Sequence, residues 1–312
     1  MNIKTPLLVV ILLLNNMLGF TQLTENFTDG DYTANPVWTP SASTDFIVNG
    51  TGQLQSNNTV ASSTFYISTG STLATTAQWE FYVNLKFSTS GTNSVDVFLT
   101  ASAADLTAST TNGYFVRIGN TADEISLYRK VGATSTIIIN GADGTVSSSS
   151  DNKIRVKVVR DASNNFTLYR DITGGTNYSV EGSVVDATHT TSSFFGILVR
   201  QSTASFHQKH FFDDIVVQAY VPDVTPPAIQ SSTVLSSTTL DVLFNEPLDA
   251  TTAAVAANYL VNNSIGNPSS AVIDGSNAAL VHLTFAGSFP DAVANQLTVN
   301  GVKDIAGNAI SG

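Results

Sequence analysis

The chain has no cysteine in 312 residues. That excludes thiolate metal sites, cysteine nucleophiles and any disulfide framework, so its domains must stand on packing, or on packing plus a bound ion. Charge is scarce as well. Asp, Glu, Lys and Arg make up 12% of residues, and 24 carboxylates outnumber 13 cations, for a net charge of −11. No basic stretch provides the footprint that nucleic acid or an anionic bilayer requires, so neither is expected as a partner. Residues 223–312 are the most lopsided part, with Asp223, Asp241, Glu246, Asp249, Asp274, Asp291 and Asp304 against Lys303 alone. Such a surface is compatible with divalent cations or neutral glycans and selects neither.

Long apolar runs are missing beyond the extreme N-terminus. There, Lys4 precedes the apolar run 7–14, and Gly19-Phe20-Thr21 places small residues three and one positions before a cleavage point. This is the layout of a secretory signal peptide covering residues 1–21, with the mature chain beginning at Gln22. The run falls short of the roughly 20 apolar residues of a membrane span. A secreted protein, extracellular or on the outer cell surface, with no membrane insertion after cleavage is therefore expected.

Sustained helical periodicity is missing too. What fills the chain is Ser, Thr, Asn and β-branched residues, which suit pleated surfaces and tight turns. Residues 45–48, 53–55, 62–67, 79–87, 95–100, 113–118, 124–131, 135–139, 153–160, 165–170, 178–185, 194–200 and 211–219 read as strands separated by Gly, Asn, Asp and Ser clusters. In Lys153-Ile154-Arg155-Val156-Lys157-Val158 every second residue is charged, so one face is wet and the other buried. That many strands in about 200 residues predicts a two-sheet sandwich or jelly roll over 22–221. Val221-Pro222-Asp223-Val224-Thr225-Pro226-Pro227 then marks a stiff linker at 222–227. A second all-β sandwich is expected over 228–312, with strands near 240–244, 259–261, 271–273, 279–285 and 296–299 and a helical turn within 253–259.

The second segment carries Thr225-Pro226-Pro227, then Phe244-Asn245-Glu246-Pro247, then Asp304-Ile305-Ala306-Gly307-Asn308. It resembles the bacterial Ig-like domains of S-layer and adhesin proteins, which implies a spacer or adhesive stalk without catalysis. Those domains usually add a strand after the Gly-Asn turn, so the segment looks truncated. The first segment resembles concanavalin A-like (laminin G-like) jelly rolls through Glu25-Asn26-Phe27-Thr28-Asp29-Gly30, Gly52-Gln53-Leu54 and His210-Phe211-Phe212-Asp213-Asp214-Ile215. The combination is similar to secreted surface proteins of gliding bacteria. The jelly-roll resemblance implies a glycan- or protein-binding module. It also implies a structural calcium ion, with Asp213 as side-chain ligand and Gly52 as carbonyl ligand. Calcium suits such a set because it takes six to eight oxygens, backbone carbonyls included. Simple alternation would put Phe211, Asp213, Ile215 and Val217 on one face, where an Asp needs a partner.

Catalytic patterns are thin. Jelly-roll glycanases need two carboxyl groups across a cleft, and Glu25, Glu80, Glu124 and Glu181 are each isolated in sequence. The four histidines lie outside any nucleophile-elbow context, and His207 and His210 are spaced to opposite faces of a strand. No catalytic residue and no organic cofactor is assigned, and a non-enzymatic glycan or surface-protein binder is the leading expectation. The alternatives are an unrecognised glycan hydrolase or a purely structural surface protein. Trp38, Trp79, Phe81 and Phe87 read as core, while Tyr114, Tyr128 and Tyr169 are candidates for sugar-facing rings.

Overall fold

A computed structural model describes residues 21–290 and 293–311. The expected signal peptide lies outside the described residues except for its last position. Among the described residues no helix is long and apolar enough to cross a membrane. The chain divides into two compact units at Val221/Pro222.

The first unit opens with β1 (Thr21–Glu25), β2 (Thr39–Pro40), β3 (Phe46–Val48), β4 (Leu54–Ser56) and β5 (Ser63–Gly70). There follow β6 (Ala77–Leu85), β7 (Ser94–Ala101), β8 (Gly113–Ile118), β9 (Ile125–Val131) and β10 (Thr134–Ile139). It closes with β11 (Asn152–Arg160), β12 (Asn165–Asp171), β13 (Ser179–Val185), β14 (Phe194–Gln201) and β15 (His210–Ala219). An eight-stranded sheet has the order β13-β12-β11-β6-β15-β4-β3, with β1 also paired to β15, and a seven-stranded sheet has the order β10-β9-β8-β7-β14-β5-β2. The strands of both sheets pair antiparallel, and the first unit is an all-β jelly-roll sandwich.

The alternation read from the sequence is the alternation observed. Ile154, Val156 and Val158 of β11 are buried while Lys153 is exposed. Residues 161–164 make the turn into β12, with Asp161 Oδ1 accepting from the Ser163 and Asn165 amides and Asn164 in the left-handed region. Trp38, Trp79, Phe81 and Phe87 all sit in the core between the sheets, as expected. Burial of each such side chain is worth about 1.5–3 kcal/mol or more.

One face departs from the simple picture. A separate apolar cluster of Phe98, Ala101, Leu106, Phe115, Tyr128 and Leu198 lies on the other side of the seven-stranded sheet. Its strand neighbours Val97, Val116, Leu127 and Ile197 point into the main core. The loop 102–112 covers this outer face. Leu106 is buried on it, and Lys130 Nζ donates to the Ala108 carbonyl.

In the second unit, β16 (Ile229–Ser236), β17 (Thr239–Phe244), β19 (Ser270–Ile273) and β20 (Leu280–Thr284) form a four-stranded sheet in the order β16-β17-β20-β19. The short helix α1 (Ala250–Ala253) is capped by Asp249, whose Oδ1 accepts from the Thr252 amide at 2.8 Å. Strands β18 (Tyr259–Val261) and β21 (Leu297–Val299) make a two-stranded sheet. Leu240, Val242, Phe244, Tyr259, Val281, Leu283 and Val299 fill the core between the two sheets.

Candidate functional site

The closing strand β15 does not alternate regularly. Its pairing with β6 shifts between Asp213, opposite Tyr82, and Val216, opposite Glu80. Asp214 adopts a left-handed φ of 48°. This β-bulge inserts one extra residue, so Phe212, Ile215 and Val217 face the core, whereas Asp213 is half-buried and Asp214 exposed. The expectation that Asp213 shares a face with Ile215 and Val217 is therefore corrected. Asp213 lies on the outer face beside Tyr82.

The bulge sits at a junction. Phe211 and Phe212 pair with β4, and from Ile215 onward the same edge pairs with β1. Gln53 Nε2 donates to Asp213 Oδ2 at 3.2 Å, bringing the early Gly52-Gln53 segment to the closing strand across 160 residues of chain. Gly52 has φ +75°, and a Cβ there would lie 3.5 Å from the Phe27 carbonyl oxygen and 3.3 Å from Thr28 Cα. Phe27 is itself left-handed, at φ 51°. Phe27 and Asp214, two non-glycine residues of positive φ on segments meeting at one strand edge, store backbone strain of the kind associated with ligand clamps. Burial pushes the Asp213 carboxyl up, and the neighbouring Asp214 adds to this, against donation from the Asp214 and Gln53 N–H groups.

Beside this junction the outer face of the eight-stranded sheet forms a groove of about 420 Å³. Its polar side chains include Asn26, Gln78, Glu80, Arg155, Asp214 and Gln218. Arg155 organises it. Nη2 donates to Asp214 Oδ2 at 2.5 Å, Nη1 lies 3.7 Å from Glu80 Oε1, and Nε donates to the Gly174 carbonyl. Burial acts to lower the Arg155 pKa, but the two carboxylates outweigh it and the net direction is upward. Glu80 and Asp214 thus flank a groove, the arrangement a glycan hydrolase needs, but a guanidinium stands between them. Glu25, also at the groove, belongs to the interior. Its Oε1 accepts from the Phe27 amide and its Oε2 from Trp38 Nε1.

The three tyrosines separate. Tyr114 is buried in the core, donating from its hydroxyl to Asp186 Oδ1 at 2.7 Å. Tyr128 is on the outer face of the seven-stranded sheet, stacked on Phe115. Tyr169 is half-buried on the eight-stranded sheet, where Lys157 Nζ lies 4.7 Å from its ring centre and 4.5 Å from that of Tyr178. His207 and His210 do not meet. His207 is exposed, and His210 is buried against Phe87.

In the second unit Asp223, Glu246 and Asp304 place carboxylate oxygens within 4.8 Å of one another, a group that could hold a metal ion. Asp304 is buried and accepts from the Asn308 amide and side chain. Burial, together with Asp223 and Asp304, pushes the Glu246 carboxyl up. The sequence reading took Glu246 and Asp304 only as domain signatures. Their meeting depends on the Leu248–Asp304 bridge, which closes more than fifty residues of chain.

The fold defines a class: an all-β jelly-roll sandwich followed in the chain by a second unit of antiparallel sheets. No protein-family model matches the chain, and no curated protein matches its sequence. Among solved structures it is similar to the carbohydrate-binding module CBM66 from Bacillus subtilis, at 14% identity over 58% of this chain and 94% of that one, with a TM-score of 0.43. It is also similar to the exoplasmic/lumenal domain of VIP36 in its Ca2+/Man2-bound form, at 12% identity, 65% and 89% coverage and a TM-score of 0.48. The carbohydrate recognition domain of Emp47p is a third, at 11% identity, 62% and 92% coverage and a TM-score of 0.43.

Proposed function

We propose that this is an exported, non-catalytic surface or extracellular protein whose first unit binds a neutral glycan, with the second unit acting as a spacer. The observation that carries the reading is the groove around Arg155. It gathers two carboxylates, a guanidinium and the amides of Asn26, Gln78 and Gln218, a set of donors and acceptors suited to sugar hydroxyls. Secretion rests on the N-terminal segment. The Ig-like character of the second unit rests on its sequence signatures.

A structural calcium ion at the β15 bulge belongs to the same reading. The residues fit it: a half-buried carboxylate at Asp213 whose negative charge is poorly compensated, and a strained, glycine-dependent approach of residues 27, 28 and 52 beside it. Asp213 would supply a side-chain oxygen and Gly52 a carbonyl. A bound cation would tie the first and last strands of a domain without disulfides.

Screening the full chain on a glycan array, with and without chelator, tests both parts. Binding to neutral glycans that is lost in Gln78→Ala supports the groove. A calcium-dependent rise in melting temperature that disappears in Asp213→Asn supports the ion. Sustained release of reducing ends, abolished in Glu80→Gln, would replace the binder with a hydrolase.

A further inference from the structure

The opposite outer face carries a second pocket of about 280 Å³, near the lower end of the roughly 300–1,000 Å³ typical of small-ligand sites. Its floor is apolar, formed by Phe98, Phe115, Leu106 and Leu198. Hydroxyls of Thr64, Thr107, Ser109 and Ser135 stand around it, and its charged groups are Asp96, Lys130 and Arg200.

The charge balance here runs against that of the whole chain. Asp96 is fully buried and serves two guanidinium groups at once. Arg117 grips it from Nε at 2.7 Å and Nη2 at 2.9 Å, and Arg200 Nη2 donates to Oδ2 at 2.7 Å. Lys130 is buried to 8% exposure and its Nζ meets only the carbonyls of Ala108 and Gly132, with no carboxylate. Of the two cations lining the pocket, Arg200 shares Asp96 with Arg117 and Lys130 has no carboxylate partner. Two further acids lie near this face: Asp105 in the covering loop is exposed and accepts from the Thr107 amide and hydroxyl, and buried Glu124, beyond Tyr128, accepts from Asn120 Nδ2. Arg200 Nη1 is buried without a hydrogen-bond partner. An unpaired buried donor is costly, more so when charged, so this half-desolvated positive charge is poised for an anion.

We propose that this pocket is a second binding site, separate from the Arg155 groove, that takes a single acidic sugar unit. The sugar ring packs on the apolar floor, its hydroxyls meet the Thr and Ser rim, and its carboxylate or sulfate lies between Lys130 and Arg200. Uronate and sulfated sugars share this chemistry. A neutral sugar leaves the cations uncompensated and is disfavoured.

The test titrates the full chain with glucuronate, glucose 6-sulfate and glucose, read by saturation-transfer NMR and by chemical shifts around Lys130. Binding of either acidic sugar, weakened by salt and at least tenfold by Lys130→Gln, supports the site and identifies the anion it takes. Ser135→Asp adds a carboxylate at an exposed rim position, so folding is not at stake. It is expected to abolish acidic-sugar binding and leave neutral-glycan binding at the Arg155 groove unchanged. The proposal is overturned if neither acidic sugar binds, if glucose shifts the resonances around Lys130 as strongly as the acidic sugars do, or if Ser135→Asp has no effect. Gln78→Ala should not move this binding, so failure here and failure of the groove reading are separately visible.

Discussion

His210 offers the sharpest physical test of the first unit. Its ring is fully buried, with Nδ1 2.9 Å from Ser56 Oγ and the Phe87 ring edge-on at 4.7 Å; Phe206 stacks on Phe87 in turn. Nε2 is buried with no partner among the described residues. A proton added there would create a desolvated cation without an acceptor, and burial pushes the ring's pKa down from 6.5 to about 3. In the unfolded chain the same ring takes its proton near pH 6.5. Between these values the unfolded state binds the extra proton, so the stability present above pH 6.5 is lost as pH falls and the loss levels off near pH 3. Going from about pH 7 to about pH 4 crosses about 2.5 pH units of this gap, or about 3 kcal/mol at 1.36 kcal/mol per unit. For a domain of this size that lowers the melting temperature by roughly 6 to 12 °C. Calorimetry of the full chain and of His210→Phe across that pH range isolates the contribution, because the other titrating groups cancel in the difference. The ring's own NMR titration in the unaltered chain gives the same answer directly. Equal pH slopes for the two proteins, or a ring titrating near pH 6.5 in the fold, would refute the reasoning.

Three further outcomes follow from the same physics. Arg160 has no exposed surface and donates to the carbonyls of Ala74, His189 and Asp186 while lying over the Tyr114 and Phe166 rings. Arg160→Leu strands those carbonyls and lowers the stability of the first unit by about 3 kcal/mol or more in denaturant titration. Gly113 has φ +155°, and a Cβ would fall 1.9 Å from the Thr100 carbonyl oxygen. Gly113→Ala must push β8 off β7, and weakened amide protection at Thr100–Tyr114 in hydrogen exchange checks this. His282 bridges Asp241 at 2.7 Å and Asp274 at 3.2 Å, and these partners raise its pKa. Its contribution to the second unit is full below pH 6.5 and disappears as pH rises through the raised value; Asp241→Asn brings the ring's NMR titration back toward 6.5.

Strand identity in this protein is a local property and was readable without coordinates. β-like runs bounded by Gly, Asn, Asp and Ser clusters, several of them with clean period-two alternation, placed the thirteen expected strands of the first unit, from the segment at 45–48 to β15. The strands it missed carry little of that signal. β1 straddles the expected cleavage point, β2 is two residues long, and β16 (Ile-Gln-Ser-Ser-Thr-Val-Leu-Ser) is exposed along its whole length and so shows no buried face. The four aromatics read as core, Trp38, Trp79, Phe81 and Phe87, are in the core, where large rings bury the most apolar surface.

What the chain could not disclose in one dimension is everything that depends on a single added residue or on pairing at long range. The bulge at Asp213 and Asp214 leaves both acids outside the core while Phe212, Ile215 and Val217 face it, and neither residue type announces it. Arg155 reaches Asp214 across 59 residues, Arg200 reaches Asp96 across 104, and Gln53 reaches Asp213 across 160. Composition and β class follow from the sequence alone, since they depend on residue type and nearest neighbours. The grooves, the shared carboxylate of Asp96 and the acidic triad of the second unit exist only once sheet order brings distant strands side by side.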